Sequence, residues 1–294
     1  MRINFIHSSP SYLPEITVYT EYIQAKGHET IITRKPIDEA DVHWHFCGIV
    51  QGRDKSKVTV HEYASASTPP FANSKDFVKQ VVNAQPDYRV FLNTFVQQRY
   101  RFRDNVPYFF RDMGIQNVFQ CSNRNDQCFD LVYLGNTDRL KYFYDTFYQL
   151  LMTGLQVLII GENNDFLKNQ FGHFENLTVT GRVKHEDVVH WLYKAKIGLN
   201  FMPLKYPFIE QTSTKALEYV SVGLPVISQC YPWISNSEAI NRRVTYVEDW
   251  PKSQYEWSDL VASIVHSNFA PADLNEYKWD KILENFGLFD ELGL

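Results

Sequence analysis

The sequence predicts an α/β protein built from two doubly wound domains. Three observations predict it. A chain of 294 residues fits about two domains at ~100–200 residues each. Short apolar runs alternate with helix-like stretches, the rhythm of a parallel sheet covered on both faces. That rhythm stops at the polar stretch Gln120 to Gln127 and then restarts.

In the first half, Ile3 to His7 is a strand and Glu15 to Lys26 a helix stopped by Gly27. Thr30 to Thr33, Asp41 to Phe46 and Lys57 to His61 are strands, the last closing on His61. Ser74 to Ala84 reads as a helix, Pro86-Asp87 as a turn, and Arg89 to Asn93 and Pro107 to Arg111 as strands. Gln120 to Gln127, holding Ser122, two Asn and Asp126, is the expected linker.

In the second half, Phe129 to Leu134 is a buried strand broken by Gly135-Asn136, and Leu140 to Thr153 an aromatic-rich helix. Tyr142, Phe143 and Tyr144 are consecutive, so at least one must point away from the core. Gln156 to Ile160 is a strand, Gly161 opens a loop, and Leu177 to Thr180 is a strand closed by Gly181. His185 to Lys196 has Val188, Trp191, Leu192 and Ala195 at helical spacing. Ile197 to Phe201, Pro225 to Ser228 and Val244 to Val247 are strands, with a helix over Thr214 to Val222. Two such modules in tandem imply a ligand site in the cleft that they face. The boundaries expected are 1–122, 123–272 and a helical tail, 273–294, that crosses back to the first domain.

Composition narrows the function. Apolar residues make up 44% and aromatics 15%, enough for real cores, and the net charge is −5. That balance argues against a nucleic-acid partner. Cys47, Cys121, Cys128 and Cys230 form no C-x-x-C pair, which suggests reduced thiols and a cytoplasmic setting. No apolar run approaches the ~18 residues of a membrane span. Arg99-Tyr100-Arg101-Phe102-Arg103 alternates cations with rings; it suits a solvated face, or peripheral contact with the inner face of a cell membrane. No G-x-G-x-x-G follows a strand, and there is no G-x-x-x-x-G-K-[ST] loop, G-x-S-x-G elbow or D-x-D metal pair at a likely strand end. Asp38-Glu39-Ala40-Asp41 therefore spells a helicase box by chance. Neither a metal nor a cofactor is expected.

The most informative stretch runs from Glu210 to Ser228. A hydroxyl-rich loop, Thr212-Ser213-Thr214, enters a helix, and Ser or Thr there is an N-cap. The first helical turn offers unpaired N–H groups and a positive dipole end, which suits a phosphate. Glu210 and Glu218 flank that point, and carboxylates accept hydrogen bonds from paired sugar hydroxyls. Gly223-Leu224-Pro225 ends the helix.

Glu210-x7-Glu218, followed by Tyr219, Gly223 and Pro225-Val226-Ile227, resembles the E-x7-E segment of the retaining glycosyltransferase superfamily known as glycosyl transferases group 1. The order of Leu131 to Gly135, Val157 to Gly161, Val179 to Val183 and Tyr193 to Leu199 resembles that family's C-terminal domain, and Tyr277 to Ile282 its terminal helix. The resemblance covers roughly residues 129–285 and implies a GT-B fold, two Rossmann-like domains facing a central cleft. It implies transfer of a sugar from a nucleotide diphosphate sugar to a hydroxyl acceptor, a glycan or lipid-linked glycan, with retention and without a metal, in polysaccharide biosynthesis. Glu210 would contact the transferred sugar, Ser213 and Thr214 the diphosphate, and Glu218 the ribose; Arg182 and Val183 would sit by the base. His61 is the candidate catalytic residue of the first domain.

Departures from the family pattern matter too. The family's Arg and Lys after the first strand of this domain have only Arg139 and Lys141 as counterparts, at unusual spacing, and Lys215 is a further phosphate candidate. The first loop reads Ser8-Ser9-Pro10-Ser11 in place of a glycine pair. His43 and His45 alternate along a strand and read as structural or acceptor-side residues. Two other functions fit the same residues: a non-catalytic sugar-nucleotide-binding subunit of a glycosyltransferase complex, and a GT-B-type nucleotide-sugar epimerase.

Overall fold

The computed structural model describes residues 1–8, 13–46, 48–121, 126–265, 269 and 272–294. The expectations placed on Ser9 to Ser11, Cys47, and Ser122 with its two asparagines lie outside them. The chain divides into two compact units, Met1–Gly114 with Trp279–Leu294, and Ile115–Lys278. Among the described residues no helix is long and apolar enough to cross a membrane.

The first unit contains β1 (Arg2–Ile6), α1 (Pro14–Ala25), β2 (Glu29–Thr33), β3 (Val42–Phe46), β4 (Val58–Tyr63), α2 (Ala72–Val82), β5 (Tyr88–Phe91), α3 (Thr94–Tyr100) and β6 (Tyr108–Phe110). Its six parallel strands lie in the order β2-β1-β3-β4-β5-β6. Side chains alternate across the pleat. Phe5, Trp44, Val60 and Val90 fall on one face and pack with α1 and with Trp279, Phe286 and Phe289 of the C-terminal segment. Within this apolar layer Arg111 meets Glu15, Glu62 and the Tyr19 hydroxyl, and Trp44 Nε1 donates to Glu62 at 2.8 Å. The opposite face is buried but polar, with Asn4, His43, His45, Thr59, His61 and Arg89.

The second unit runs β7 (Phe129–Leu134), a 3-10 turn (Thr137–Phe143), α4 (Tyr144–Leu151), β8 (Val157–Ile160), α5 (Asp165–Phe171), β9 (Leu177–Val179), α6 (His185–Leu192) and β10 (Ala195–Asn200). It continues through a 3-10 turn (Phe208–Glu210), α7 (Thr214–Ser221), β11 (Val226–Gln229), α8 (Pro232–Asn236), α9 (Glu238–Asn241), β12 (Val244–Val247) and α10 (Gln254–Val265). After it, α11 (Trp279–Glu284) and α12 (Leu288–Leu292) belong to the first unit. The sheet order is β12-β11-β10-β7-β8-β9, all parallel. Alternate strand residues feed two cores: Val132, Leu158 and Val226 pack on one face, and Leu131, Ile159 and Leu199 on the other. The direction of strand addition reverses between β7 and β10, and open α/β sheets bind ligands beyond the carboxyl ends of strands at such a reversal.

Several elements differ from the sequence reading. The helix expected over Leu140 to Thr153 is a 3-10 turn, opened by Asn136 Oδ1 accepting the Asp138 N–H at 2.8 Å, followed by the shorter α4. Within Tyr142 to Tyr144, Phe143 is buried and Tyr142 exposed, as three consecutive helical positions require. The helix expected to reach Lys196 ends at Leu192, because Ala195 and Ile197 already pair with Phe129 and Leu131. α3 and α5 were not anticipated; both are seven-residue helices capped by an asparagine, Asn93 and Asn164.

Candidate functional site

The carboxyl ends of β7 and β10 open onto a cavity of about 240 Å3. Its wall comes from the turn after β7 (Gly135, Asn136, Arg139), from Phe208, and from the start of α7 (Ser213 to Lys215, then Glu218). Gly135 turns the chain with φ +119°, a conformation that side-chain-bearing residues rarely adopt. It carries the backbone from β7 into the 3-10 turn that presents Arg139.

The sequence places α7 here through tight packing. Tyr219 lies so close to β10 that a Cβ on Gly198 would come within 2.4 Å of its ring. The Tyr219 hydroxyl accepts the Leu134 N–H at 2.7 Å, which ties α7 to the end of β7. Ser213, at the N-cap position, makes no side-chain bond to its own helix. Its Oγ instead donates to Asn200 Oδ1 at 3.0 Å, while Asn200 Nδ2 donates to Ser228 Oγ and Tyr231 OH, both at 3.0 Å. The first N–H groups of α7 have no carbonyl one turn earlier in the helix, so the helix start is equipped for an anion.

Two charged side chains at this point are buried. Lys215 Nζ donates to the Phe201 carbonyl at 2.8 Å and lies 4.7 Å from the Tyr133 ring centroid. Burial first, and then the Arg139 charge, hold its ammonium well below the ordinary lysine pKa. Glu218 Oε1 meets His185 Nε2 at 2.7 Å, and His185 Nδ1 meets Gln116 Oε1 at 3.1 Å. Arg139 stacks its guanidinium 4.9 Å from the Phe208 ring centroid and stays partly open to solvent.

The structure gathers Arg139, Ser213, Thr214, Lys215 and Glu218 around one cavity. Glu210 ends the 3-10 turn one residue before the lining resumes at Gln211. Lys141, Arg182 and Val183 are not in the lining. Lys141 is exposed and pairs with Asp138 at 2.6 Å, Arg182 is exposed and pairs with Glu162 at 2.6 Å, and Val183 packs against the core. His61 belongs to the first unit and does not close its strand, since β4 runs on to Tyr63. It is 0% exposed, and neither ring nitrogen has a hydrogen-bond partner among the described residues. Burial first, then His45, Arg89 and Arg53, lower its pKa to about 3. The sequence reading missed His185, Asn200 and Tyr231; no spacing marks them, because they meet α7 only through the fold.

The sequence model of the family described as Glycosyl transferases group 1 matches residues 129–251. Over those residues, less than half of the chain, the sequence is similar to that family. The group 1 segment covers the sheet of the second unit and the whole cavity wall. Across the full chain the fold is that of GT-B glycosyltransferases. Sucrose-phosphate synthase from Thermosynechococcus elongatus superposes with a TM-score of 0.64 at 12% identity, over 99% of each chain. Anabaena Alr3699/HepE in complex with UDP gives 0.60 at 9%, over 98% of this chain and 96% of that one. T4 phage BGT with its UDP-glucose substrate gives 0.56 at 14%, over 99% and 97%. Identities this low establish the fold alone. Comparison with curated protein sequences yields no match.

Proposed function

We propose that this chain is a group 1 glycosyltransferase that transfers a hexosyl unit from a nucleotide diphosphate sugar to a hydroxyl of a glycan or lipid-linked glycan, with retention and without a metal, in polysaccharide biosynthesis. One observation carries the reading: the start of α7, Arg139 and Glu218 converge on a single cavity at the strand-order reversal. The helix start and Arg139 suit the diphosphate, whose negative charge grows as the sugar leaves. Lys215 stands beside them, and a bound diphosphate would favour its charged form. Glu218 takes the ribose and Glu210 the transferred sugar. Arg182 and Val183 take the base and Lys141 the diphosphate, although none of the three is in the cavity wall. His61 is the first unit's candidate, supported by its two unpartnered nitrogens. The chain would work in the cytoplasm, with peripheral contact at the membrane's inner face. Uracil is the first base to test, because HepE and BGT were solved with UDP and UDP-glucose.

The test is thermal stabilisation by UDP, GDP, ADP, TDP and CMP, with Glu218→Ala as control. A ligand at ~100 times its Kd adds ~2.7 kcal/mol of stability. A shift by one nucleotide, lost in the variant, supports the donor site. No shift with any of them sinks the reading.

A further inference from the structure

Helix α2 is docked with its polar side inward. Its one buried residue is Asp76, which accepts the Ser67 N–H at 3.0 Å and pairs with Arg99 at 3.0 Å. On the same side Gln80 Nε2 donates to the Arg101 carbonyl at 2.8 Å, and Lys79 Nζ reaches the Tyr100 hydroxyl at 3.4 Å. The apolar side faces out: Phe77 is 63% exposed, Val78 45%, Val81 66% and Val82 39%. Positions 77, 78, 81 and 82 form one stripe on a helix. A surface helix normally buries such a stripe, and a contiguous exposed one marks an interaction surface.

The surrounding charge identifies the partner. The chain is acidic overall, at −5. Yet residues 64–103 hold six cations (Lys75, Lys79, Arg89, Arg99, Arg101, Arg103) against two carboxylates (Asp76, Asp87). Both carboxylates are taken, Asp76 by Arg99 and Asp87 by Arg53. Lys75, Arg101 and Arg103 are exposed and have no ion pair among the described residues. Arg101 lines a groove together with Phe77, which brings cation and apolar stripe onto one surface. An apolar stripe edged by unpaired cations suits a bilayer with anionic headgroups. The alternating run at Arg99 to Arg103 is only part of that surface, since Tyr100 is buried and Arg99 is held by Asp76.

We propose that α2 is a membrane-seating helix. Phe77, Val78, Val81 and Val82 enter the interfacial layer of an anionic bilayer, and Lys75, Arg101 and Arg103 meet lipid phosphates. This inference stands apart from the donor site, which uses none of these residues.

The test is flotation of the purified chain with vesicles of phosphatidylcholine alone and of phosphatidylcholine with phosphatidylglycerol, at low and high salt. The expected result is binding to the anionic vesicles, weakened by salt, with little binding to phosphatidylcholine alone. Phe77→Ser with Val81→Ser lowers anionic-vesicle binding by roughly tenfold or more, while the melting temperature stays that of the parent. Val81→Ser alone, with a smaller loss, serves if the double variant melts early. Arg101→Glu with Arg103→Glu removes the preference for the anionic lipid. Absence of binding to anionic vesicles at low salt overturns the proposal, as does binding that the serine variants leave unchanged. A parent dimer that the serine variants convert to monomer also overturns it, by assigning the stripe to a second copy of the chain.

Discussion

His185 Nε2 lies 2.7 Å from Glu218 Oε1, across 33 residues of sequence. The second Glu218 oxygen has no hydrogen-bond partner among the described residues, and Glu218 lines the cavity. His185 is itself fixed, by Gln116 at 3.1 Å and by the Phe119 ring at 5.2 Å between centroids. The pair therefore orients the carboxylate, and under the proposed function its other oxygen would take a ribose hydroxyl.

His185→Ala should weaken nucleoside diphosphate binding by roughly tenfold, the scale of one hydrogen bond to a charged group. Inorganic pyrophosphate, which has no ribose, should bind the variant and the parent alike. Titration calorimetry with both ligands checks this. Equal losses for the two would mean that His185 supports the fold of the site and not the ribose contact.

Lys215 gives a second outcome. Its ammonium is buried and its pKa depressed by burial and by Arg139. A diphosphate bound beside it favours the charged form, so binding should take up a proton and weaken as pH rises. Calorimetry in buffers of different ionisation enthalpy measures that uptake. Lys215→Met should abolish it and lower diphosphate affinity. Proton uptake that persists in the variant would assign it to another group.

Much of the fold was legible, and the reason is periodicity. Residues such as Leu131 to Tyr133 and Val157 to Ile160 are buried on both sheet faces and read as unbroken apolar runs. α3 and α5 were hidden because each has seven residues, too few for a periodic pattern; their signals were the caps Asn93 and Asn164. In the candidate site, Ser213 to Glu218 was legible as a loop entering a helix. His185 was not, because its partner lies one helix away, and nothing local distinguishes it from Lys184 or Glu186. Arg182 and Lys141, candidates through the family resemblance, each pair with a neighbouring carboxylate, Glu162 and Asp138 respectively, a contact that no local pattern announces.

Gly198→Ala tests how closely α7 must approach the sheet. The added Cβ would sit 2.4 Å from the Tyr219 ring, and both groups belong to packed elements. The expected loss is about 1–3 kcal/mol, the usual cost of overpacking. Combining Gly198→Ala with Tyr219→Leu should cost less than the sum of the two alone. Strict additivity in urea unfolding would place the strain elsewhere.

Arg111 is the cation of a buried cluster with Glu15 and Glu62. Burial raises the Glu62 pKa, and Arg111 acts against that rise. Arg111→Met removes the cation and leaves two carboxyl groups in an apolar layer, a change that costs about 3–5 kcal/mol. Adding Glu62→Gln should recover part of the loss, because one buried charge then disappears. No recovery in the double variant would show that packing of the Arg111 side chain, and not its charge, carries the stability.

The polar face of the first sheet predicts acid sensitivity. Burial and then His43 lower the His45 pKa from 6.5 to about 4, and burial with His45, Arg89 and Arg53 lowers that of His61 to about 3. In the unfolded chain both take up protons as pH falls through about 6.5, while in the folded chain they stay neutral. Between about 6.5 and the folded values the unfolded state binds more protons, so stability falls with pH by about 1.4 kcal/mol per unit for each histidine. From about pH 7 to about pH 5 this amounts to roughly 2 kcal/mol per histidine. Replacing both with glutamine removes the titration and should flatten that part of the stability profile, whatever the double variant's stability at neutral pH. Urea unfolding across this range reads the slope directly. The same slope in the parent and the double variant would mean that other groups take up the protons and that these two imidazoles are charged in the folded chain.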